Sequence, residues 1–394
     1  MKVAITADWM SNVGGGGRVL THLHSMFPDA PVYTTIHDPA TLSPEMNGWD
    51  IRPSFLQRIP FARKRYQAFL PLMPLAFEQF DLREYDLVLT TNSACAKGVI
   101  TSPGTLNICY CHTPCRYIWD LYHDYVRDLR FKALAAPVAH WLRVWDRQAA
   151  DRVDHFVANS HEVSSRIRRH YRRDSEIIYP PVDVDRITPN DREPEDFFLV
   201  VSRLVNYKRI DLAIEAANRL KKRLIVIGDG PARRHLRKLA GPTVEFLGNL
   251  TDDEVADHYA RCRALLFPGF EDFGIAAVEA QAAGRPVIAY GRGGATETVM
   301  ENATGLHFEE QSVDALCEAM VEFEEHDFDP AVCRRNAERF DAAEFRRRMR
   351  ETVELQMGGI ATKPAVPKPV IPAQAAIQRR QPADAMDVRM RGHD

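Results

Sequence analysis

The chain has 394 residues, 45% of them hydrophobic, and carries 51 basic and 54 acidic side chains for a formal net charge of −3. This length accommodates two domains, and the near balance of charge excludes a general attraction to nucleic acid. No run approaches the ~20 apolar residues of a membrane-spanning helix, and the apolar stretch at the N-terminus is too short for a signal peptide. We therefore expect a cytoplasmic protein.

In the first half, short apolar runs alternate with helix-length segments. Such runs, nearly continuous in apolarity, are typical of strands covered on both faces. The predicted strands lie at 2–8, 30–35, 86–92, 106–112, 155–160 and 175–180. The alternation predicts a parallel, doubly wound sheet in an N-terminal domain, residues 1–180.

Residues 14–18 follow the first strand and read Gly-Gly-Gly-Gly-Arg. Glycines permit close backbone approach to a ligand at a helix start, so Gly15 and Gly16 are candidate ligand-binding residues. The Gly-Lys-Ser/Thr of a Walker loop and the second-strand acid of a dinucleotide site are both missing. A flexible turn is the alternative.

Residues 52–74 interleave basic and apolar side chains. Such a segment suits contact with an anionic membrane surface, and Arg63, Lys64 and Arg65 are its candidate contacts. A partly buried helix with a solvated basic face fits the pattern equally well.

His112 ends the strand at 106–112, at the carboxyl edge where ligands bind in open α/β sheets. Its imidazole suits a sugar hydroxyl, and Arg116 adds a cation nearby; a polar loop pair is the alternative. Three cysteines lie in the same stretch, at 109, 111 and 115. Because no second pair with zinc-knuckle spacing follows, we predict free thiols, no metal and no cofactor.

Residues 181–196 are rich in proline and charge and are predicted to link two domains. Asp183 and Asp185 resemble a metal-binding Asp-x-Asp pair, but they lie in this linker, away from any predicted strand end in the cleft, and we interpret them as structural. A second Rossmann-like domain is predicted at 197–340. Its strands lie at 197–203, 223–228, 244–248, 263–268, 286–290 and 304–308. The carboxyl ends of both sheets would line a cleft between the domains.

A helix is predicted at 341–357, a candidate for crossing back to the N-terminal domain. Residues 358–394 are rich in Pro, Ala, Gln and Arg without a periodic apolar face. This composition predicts a disordered tail that is dispensable for chemistry.

Arg203 and Lys208 directly follow the first strand of the second domain. Two cations at that edge can neutralise a leaving diphosphate without a metal, Arg as a bidentate fork and Lys as a point charge. Gly228, Gly230 and Leu250 follow the next two strands, where backbone can approach a flat base. Ordinary turn glycines are the alternative.

The strongest signal is the segment 269–279, where a strand, a glycine-containing loop and a helix follow one another. Unpaired amides of Gly274, Ile275 and Ala276 at the helix start suit a diphosphate. A nucleotide-sugar donor needs two carboxylates, one for sugar hydroxyls and one for a ribose diol, and Glu271 and Glu279 are the candidates for this pair. Solvated surface acids are the alternative.

Over residues 1–357 the chain resembles the family 4 retaining glycosyltransferases of the GT-B fold, through Glu271-x7-Glu279 with Arg203 and Lys208. Residues 107–120 and 14–18 resemble bacterial mannosyltransferases of O-antigen and exopolysaccharide assembly, which use GDP-mannose and a polyprenyl-diphosphate-linked acceptor. The resemblance implies a metal-independent hexosyltransferase, peripheral on the inner face of the plasma membrane and active in lipopolysaccharide or other polysaccharide biosynthesis.

The resemblance also implies residue roles. Glu271 binds sugar hydroxyls, Glu279 the ribose and His112 the sugar 6-hydroxyl, while Arg203 and Lys208 stabilise the diphosphate. The glycine loop lies against donor phosphates or acceptor, and Arg18 and Arg116 are grouped with the acceptor. One departure is Asp272, where the family's usual motif has glycine.

Three other functions are alternatives, of which the third fits the pattern less well. A nucleotide-sugar 2-epimerase shares the two-domain architecture and needs no acceptor. A transferase acting on a soluble acceptor, such as a sugar phosphate or glucan, shares the donor site. A non-catalytic sugar-nucleotide-binding protein would have no use for a pair of cations that stabilise a leaving group.

Overall fold

A computed structural model describes residues 1–11, 14–127, 132–189 and 193–361. The chain folds into two parallel-sheet domains with helices on both faces of each sheet. The predicted pair of Rossmann-like domains is therefore confirmed. From residue 362 onward, the predicted tail lies outside the described residues.

The N-terminal domain contains a seven-stranded sheet of order β3-β2-β1-β4-β5-β6-β7. The strands are parallel because helices connect them on either side. Their bounds are β1 Val3–Ala7, β2 Val32–Thr34, β3 Ile51–Pro53, β4 Leu87–Asn92, β5 Leu106–Cys111, β6 His155–Ala158 and β7 Glu176–Ile177. The helices are α1 Gly15–Met26, α2 Pro44–Asn47, α3 Met73–Glu78, α4 Tyr122–Arg127, α5 Lys132–Ala149 and α6 His161–Tyr171.

The C-terminal domain contains a six-stranded parallel sheet of order β10-β9-β8-β11-β12-β13. Its strands are β8 Phe198–Val201, β9 Leu224–Ile227, β10 Val244–Gly248, β11 Ala264–Phe267, β12 Val287–Tyr290 and β13 Gly305–Phe308. Its helices are α7 Ile210–Leu220, α8 Arg233–Leu239, α9 Asp252–Arg261, α10 Ile275–Ala282, α11 Ala295–Thr298, α12 Val313–Glu322 and α13 Pro330–Glu338.

The last described helix, α14 (Ala342–Ala361), leaves the C-terminal domain and packs on the N-terminal one. Its buried residues Phe345, Met349 and Val353 belong to the apolar core under the first sheet. At the crossing, the amide of Val182 donates to Phe340 and its carbonyl accepts from Ala342. The chain therefore passes between the domains through two adjacent, hydrogen-bonded segments.

The tail was predicted to begin at residue 358, which is wrong, because α14 continues to Ala361. Glycine disfavours helix interiors, and Gly358 and Gly359 lie beyond the predicted helix end. They are nonetheless accommodated within the last turns of this long helix.

Candidate active site

Lys208 and Glu271, predicted from separate strand ends, contact each other. Lys208 ends a 3₁₀ turn after β8, and Glu271 lies in the loop after β11. The loop can approach the turn because residue 269 is glycine: a Cβ on Gly269 would lie 3.1 Å from the Lys208 backbone. The structure thus brings a predicted cation and a predicted acid to one point.

Helix α10 is preceded by its N-cap residue Gly274, whose φ of +98° is a left-handed conformation that glycine adopts without strain. The first helical amides with an acceptor, those of Ala277 and Val278, bond to the Gly274 carbonyl. Within the described residues, the amides of Gly274, Ile275 and Ala276 have no hydrogen-bond acceptor. Three free donors at a helix N-terminus form a binding site for an anion.

Glu279 is buried on α10 and is held from two directions. The Tyr259 hydroxyl donates to its carboxylate at 3.0 Å, and the guanidinium of Arg18 contacts it from the N-terminal domain. The sequence grouped Arg18 with the acceptor residues, but the structure places its side chain against Glu279. This acid therefore joins the two domains.

The linker also reaches the cleft. Arg186 lies 3.9 Å from the Glu279 carboxylate, and Asp183 lies 3.4 Å from His22 on α1. The linker therefore borders the cleft although no predicted strand end lies beside it, because strand ends do not show the path of a connecting segment. That Asp183 and Asp185 are structural stays a prediction.

On the N-terminal side, the glycine loop meets His112. A Cβ on Gly16 would lie 3.6 Å from His112 Nε2, and one on Gly15 would lie 2.9 Å from Cδ1 of Ile275 in the other domain. His112 Nε2 is 2.7 Å from the Thr91 hydroxyl. Burial lowers the pKa of His112 to about 4, so its imidazole is neutral at pH 7 and available for hydrogen bonding.

Arg203 is exposed at the end of β8. Burial raises the pKa of Tyr125 on α4, while the positive charges of Arg116 and Arg203 oppose that rise. Since Tyr125 belongs to the other domain, the Arg203 charge acts across the cleft. No direct contact of Arg203 with Glu271 is seen in the described part of the chain.

Gly228 and Gly230 have a packing role that the sequence did not reveal. A Cβ on Gly228 would lie 2.0 Å from the Ser202 carbonyl oxygen, and one on Gly230 would lie 2.3 Å from that of Leu204. Both glycines are thus required by the close fit between two strand-end loops. Leu250 is half-buried against the core of the same domain. Contact of these residues with a base stays a prediction.

Asp272 bonds to two arginines of the N-terminal domain. One carboxylate oxygen contacts Arg116, and the other accepts from Arg166 Nη1 at 2.5 Å. Sequence reasoning missed Arg166 and Tyr259, because both act through packing between elements far apart in sequence. No local motif marks either residue.

The basic segment lies apart from these groups. Arg63, Lys64 and Arg65 are exposed, as is Phe61 at 78%. Phe61, Arg63 and Lys64 line a depression of about 370 Å³ together with residues 57–60. None of the helices in the described ranges combines the length and apolar character needed to cross a membrane.

Two family models match the chain. Residues 13–186 match Glycosyltransferase Family 4, and residues 183–340 match Glycosyl transferases group 1. The chain is 34% identical over 176 residues to a GDP-mannose-dependent alpha-(1-6)-phosphatidylinositol monomannoside mannosyltransferase of Mycobacterium tuberculosis, a match covering 37% of this chain and 46% of the relative. It is 30% identical over 207 residues to a D-inositol 3-phosphate glycosyltransferase of Mycobacteroides abscessus, covering 45% and 47%. The chain thus spans less than half the length of these curated relatives.

Solved structures share the whole architecture. Sucrose-phosphate synthase from Thermosynechococcus elongatus superposes with a TM-score of 0.70 at 18% identity, covering 91% of this chain and all of that one. The apo lipopolysaccharide outer core galactosyltransferase WaaB superposes with a TM-score of 0.63 at 16% identity, covering 90% and 100%. These likenesses show the fold. With the two adjoining family matches, they identify the chain as a member of the family 4 glycosyltransferases of GT-B architecture.

Proposed function

We propose that the protein is a retaining, metal-independent hexosyltransferase that moves mannose from GDP-mannose to a lipid-linked saccharide. One observation carries this proposal: Lys208, Glu271 and the free amides of α10 lie together, opposite His112 and the glycine loop. A nucleotide diphosphate needs fixed positive charge and amide donors, and its sugar needs an acid and a neutral hydrogen-bonding group. Both sets of groups are available in one cleft.

The chemistry follows from where charge develops. As the glycosidic bond to the diphosphate lengthens, negative charge grows on the leaving oxygen, and preorganised donors stabilise it. The α10 amides, Lys208 and Arg203 supply those donors and charges. Glu271 would hold sugar hydroxyls and Glu279 the ribose. Front-side attack, in which the leaving phosphate oxygen accepts the proton of the acceptor, retains configuration without a protein nucleophile.

The donor is proposed from the relatives. The mycobacterial mannosyltransferase is named as GDP-mannose-dependent, and the stretch around His112 resembles mannosyltransferases. Glu279 is engaged by Arg18, so we propose that a donor ribose exchanges with Arg18 for this carboxylate. The released guanidinium would then be free to approach the diphosphate.

The acceptor and location are proposed from the surface of the N-terminal domain. Exposed Arg63, Lys64 and Arg65 beside exposed Phe61 suit an anionic lipid surface. Arg116, whose guanidinium contacts Asp272 in the cleft, would contact the acceptor saccharide. We therefore propose peripheral attachment to the inner face of the plasma membrane, in cell-surface polysaccharide biosynthesis.

A donor panel tests the proposal. Purified protein is incubated with GDP-mannose, UDP-glucose, UDP-N-acetylglucosamine and UDP-galactose, with and without a polyprenyl-diphosphate-linked saccharide in vesicles. We expect fastest turnover with GDP-mannose, unchanged by EDTA, and retention of anomeric configuration by NMR. Preference for a UDP-sugar would refute the proposed donor, and loss of activity in EDTA would refute metal independence. A product of inverted configuration would refute the retaining mechanism.

The same assay separates the alternatives. A 2-epimerase would convert a donor sugar without acceptor, and a transferase with a soluble acceptor would not need the vesicles. A binding protein would retain the donor without turnover. In a vesicle flotation assay, the triple variant Arg63→Ala, Lys64→Ala, Arg65→Ala should lose binding to anionic vesicles if the proposed location is right.

A further inference from the structure

Asp272 lies between two groups assigned to the donor, Glu271 and the Gly274 amide, yet its own partners are in the other domain. Its side chain is largely buried with Arg116 and Arg166. Each guanidinium also lies over an aromatic ring of the C-terminal domain, Arg116 at 5.5 Å from the Tyr207 centroid and Arg166 at 5.4 Å from that of Phe270. Two cations thus each make two contacts across the cleft.

The two arginines differ in their other partners. Arg166 is also paired within its own domain, 3.0 Å from Glu162. For Arg116, Asp272 is the one carboxylate partner seen in the described residues. Because an ion pair that is largely removed from water is costly to break on one side, loss of the Asp272 charge would leave Arg116 unpaired in the cleft.

A second acid holds the same helix. Glu297 on α11 accepts hydrogen bonds from the amides of His161, at 2.9 Å, and Glu162, at 3.3 Å. These amides are at the N-terminus of α6, where a carboxylate interacts favourably with the helix dipole. Helix α6 is therefore fastened to the C-terminal domain at its start by Glu297 and one turn later by Asp272 through Arg166.

We propose that Asp272 is a positioning residue that, together with Glu297, latches α6 and the Arg116 loop onto the C-terminal domain and so holds the cleft closed around the donor. Asp272 adjoins Glu271, and Arg116 lies four residues after His112. Closing this contact therefore brings the loop that carries Glu271 towards the strand end that carries His112. The inference rests on the proposed function only in placing the donor in that cleft.

Domain separation tests the latch without any substrate. All seven cysteines are buried, so spin labels can be placed selectively on cysteines introduced at exposed Asp29 and Lys238, one in each domain. In pulsed EPR, Asp272→Asn should lengthen and broaden the distance distribution, and Glu297→Gln should do so independently. Asp272→Glu, which keeps the charge, should stay near the unsubstituted protein. Asp253→Asn, at an exposed acid of α9, is the matched control.

Kinetics provide the second readout. With the preferred donor, Asp272→Asn should raise the donor KM about tenfold, a typical coupling for a two-state element, with a smaller change in kcat. Unchanged distances in folded Asp272→Asn would overturn the proposal even if KM rose, because Asp272 would then act on the donor directly. Longer interdomain distances in Asp272→Glu, which keeps the charge, would also overturn the proposal. If the protein turned over no nucleotide sugar, the proposed function would be refuted. The distances between the spin labels would still test the latch, because they need no substrate.

Discussion

At the residue scale, the site depends on single contacts between groups distant in sequence. Lys208 and Glu271 touch because Gly269 lets two strand-end segments approach each other. Glu279 is buried, forms an ion pair with Arg18 and accepts a hydrogen bond from Tyr259. These contacts give individual side chains measurable consequences for rate and for stability.

Lys208→Ala should lower kcat by about 10²–10³, comparable to the loss of one preorganised donor at a developing oxyanion. The reason is that its ammonium is proposed to offset charge on the departing diphosphate. Steady-state kinetics with GDP-mannose measure the effect, and Lys238→Ala, at an exposed lysine of α8, is the control. Turnover of Lys208→Ala close to that of the control would contradict its role.

His112 should make folding stability depend on pH. Burial lowers its pKa from 6.5 to about 4, so between these values the unfolded chain binds a proton that the folded chain does not. The free energy of unfolding should then fall by up to about 3 kcal/mol as pH drops from 6.5 to 4. Above pH 6.5, the contribution of His112 to stability should be fully present.

Urea titrations at several pH values compare the unsubstituted protein with His112→Asn, which should lack this part of the pH dependence. His235→Gln, at an exposed histidine of α8, should keep it. Equal pH profiles for His112→Asn and the unsubstituted protein would mean that His112 does not stay neutral on folding.

The sequence predicted Lys208 and Glu271 because residues at the carboxyl ends of parallel strands share one edge of a sheet. Glu279 was predicted from its place on the helix that follows the Glu271 loop. The sequence did not predict Arg166 or Tyr259. Their contacts depend on how two domains and successive helices pack, which no local spacing encodes.

At the element scale, the N-cap residue of α10, Gly274, has both a structural and a binding role. Gly274 has positive φ, and a Cβ there would lie 2.9 Å from the Phe267 ring. The left-handed residue turns the chain from the loop into the helix and directs the free amides outward. The start of this helix therefore tolerates little change.

Gly274→Ala should destabilise the protein by at least about 1–2 kcal/mol, the cost of a left-handed alanine, and should weaken binding of GDP. Urea unfolding and calorimetric titration with GDP measure the two effects. Gly104→Ala is the control, since a Cβ there meets nothing within 4 Å. Equal free energies of unfolding and equal GDP affinities for the two variants would show that the start of the helix accommodates a side chain at residue 274.

Elements with strong patterns were predicted well, and two weak ones were missed. Strand β3 is three residues long, contains Pro53 and lies at the sheet edge, so it carries little apolar signal. Helix α13 begins at Pro330 with Asp329 as its cap. This start signal is present in the sequence but was not recognised.

At the whole-molecule scale, the two domains are tied together by α14 and by acids that bind arginines across the cleft. The sequence predicted two domains, because each has its own strand–helix alternation. It could not predict their closure, since the Asp272 and Glu297 contacts join residues more than a hundred positions apart. The domains could be predicted and their closure could not, because sequence patterns report contacts between residues that are close along the chain.

Met349→Ala should destabilise the N-terminal domain, although the residue follows the C-terminal domain in sequence. Met349 is 1% exposed in the core under the first sheet, and such truncations cost about 2–5 kcal/mol. Hydrogen exchange should report faster opening of β4 and β5. Leu355→Ala on the same helix, where the side chain is 72% exposed, should change little; equal effects would argue against this packing.

The return of α14 to the first sheet also has a consequence for synthesis. A ribosome finishes residues 1–180 long before it makes Phe345, Met349 and Val353, which complete the core under that sheet. The lobe that emerges first is therefore completed last, and a nascent chain must carry an uncovered apolar face while the second lobe folds. Chains terminated early within residues 197–340 would keep that face uncovered and would be natural clients for chaperones and proteases.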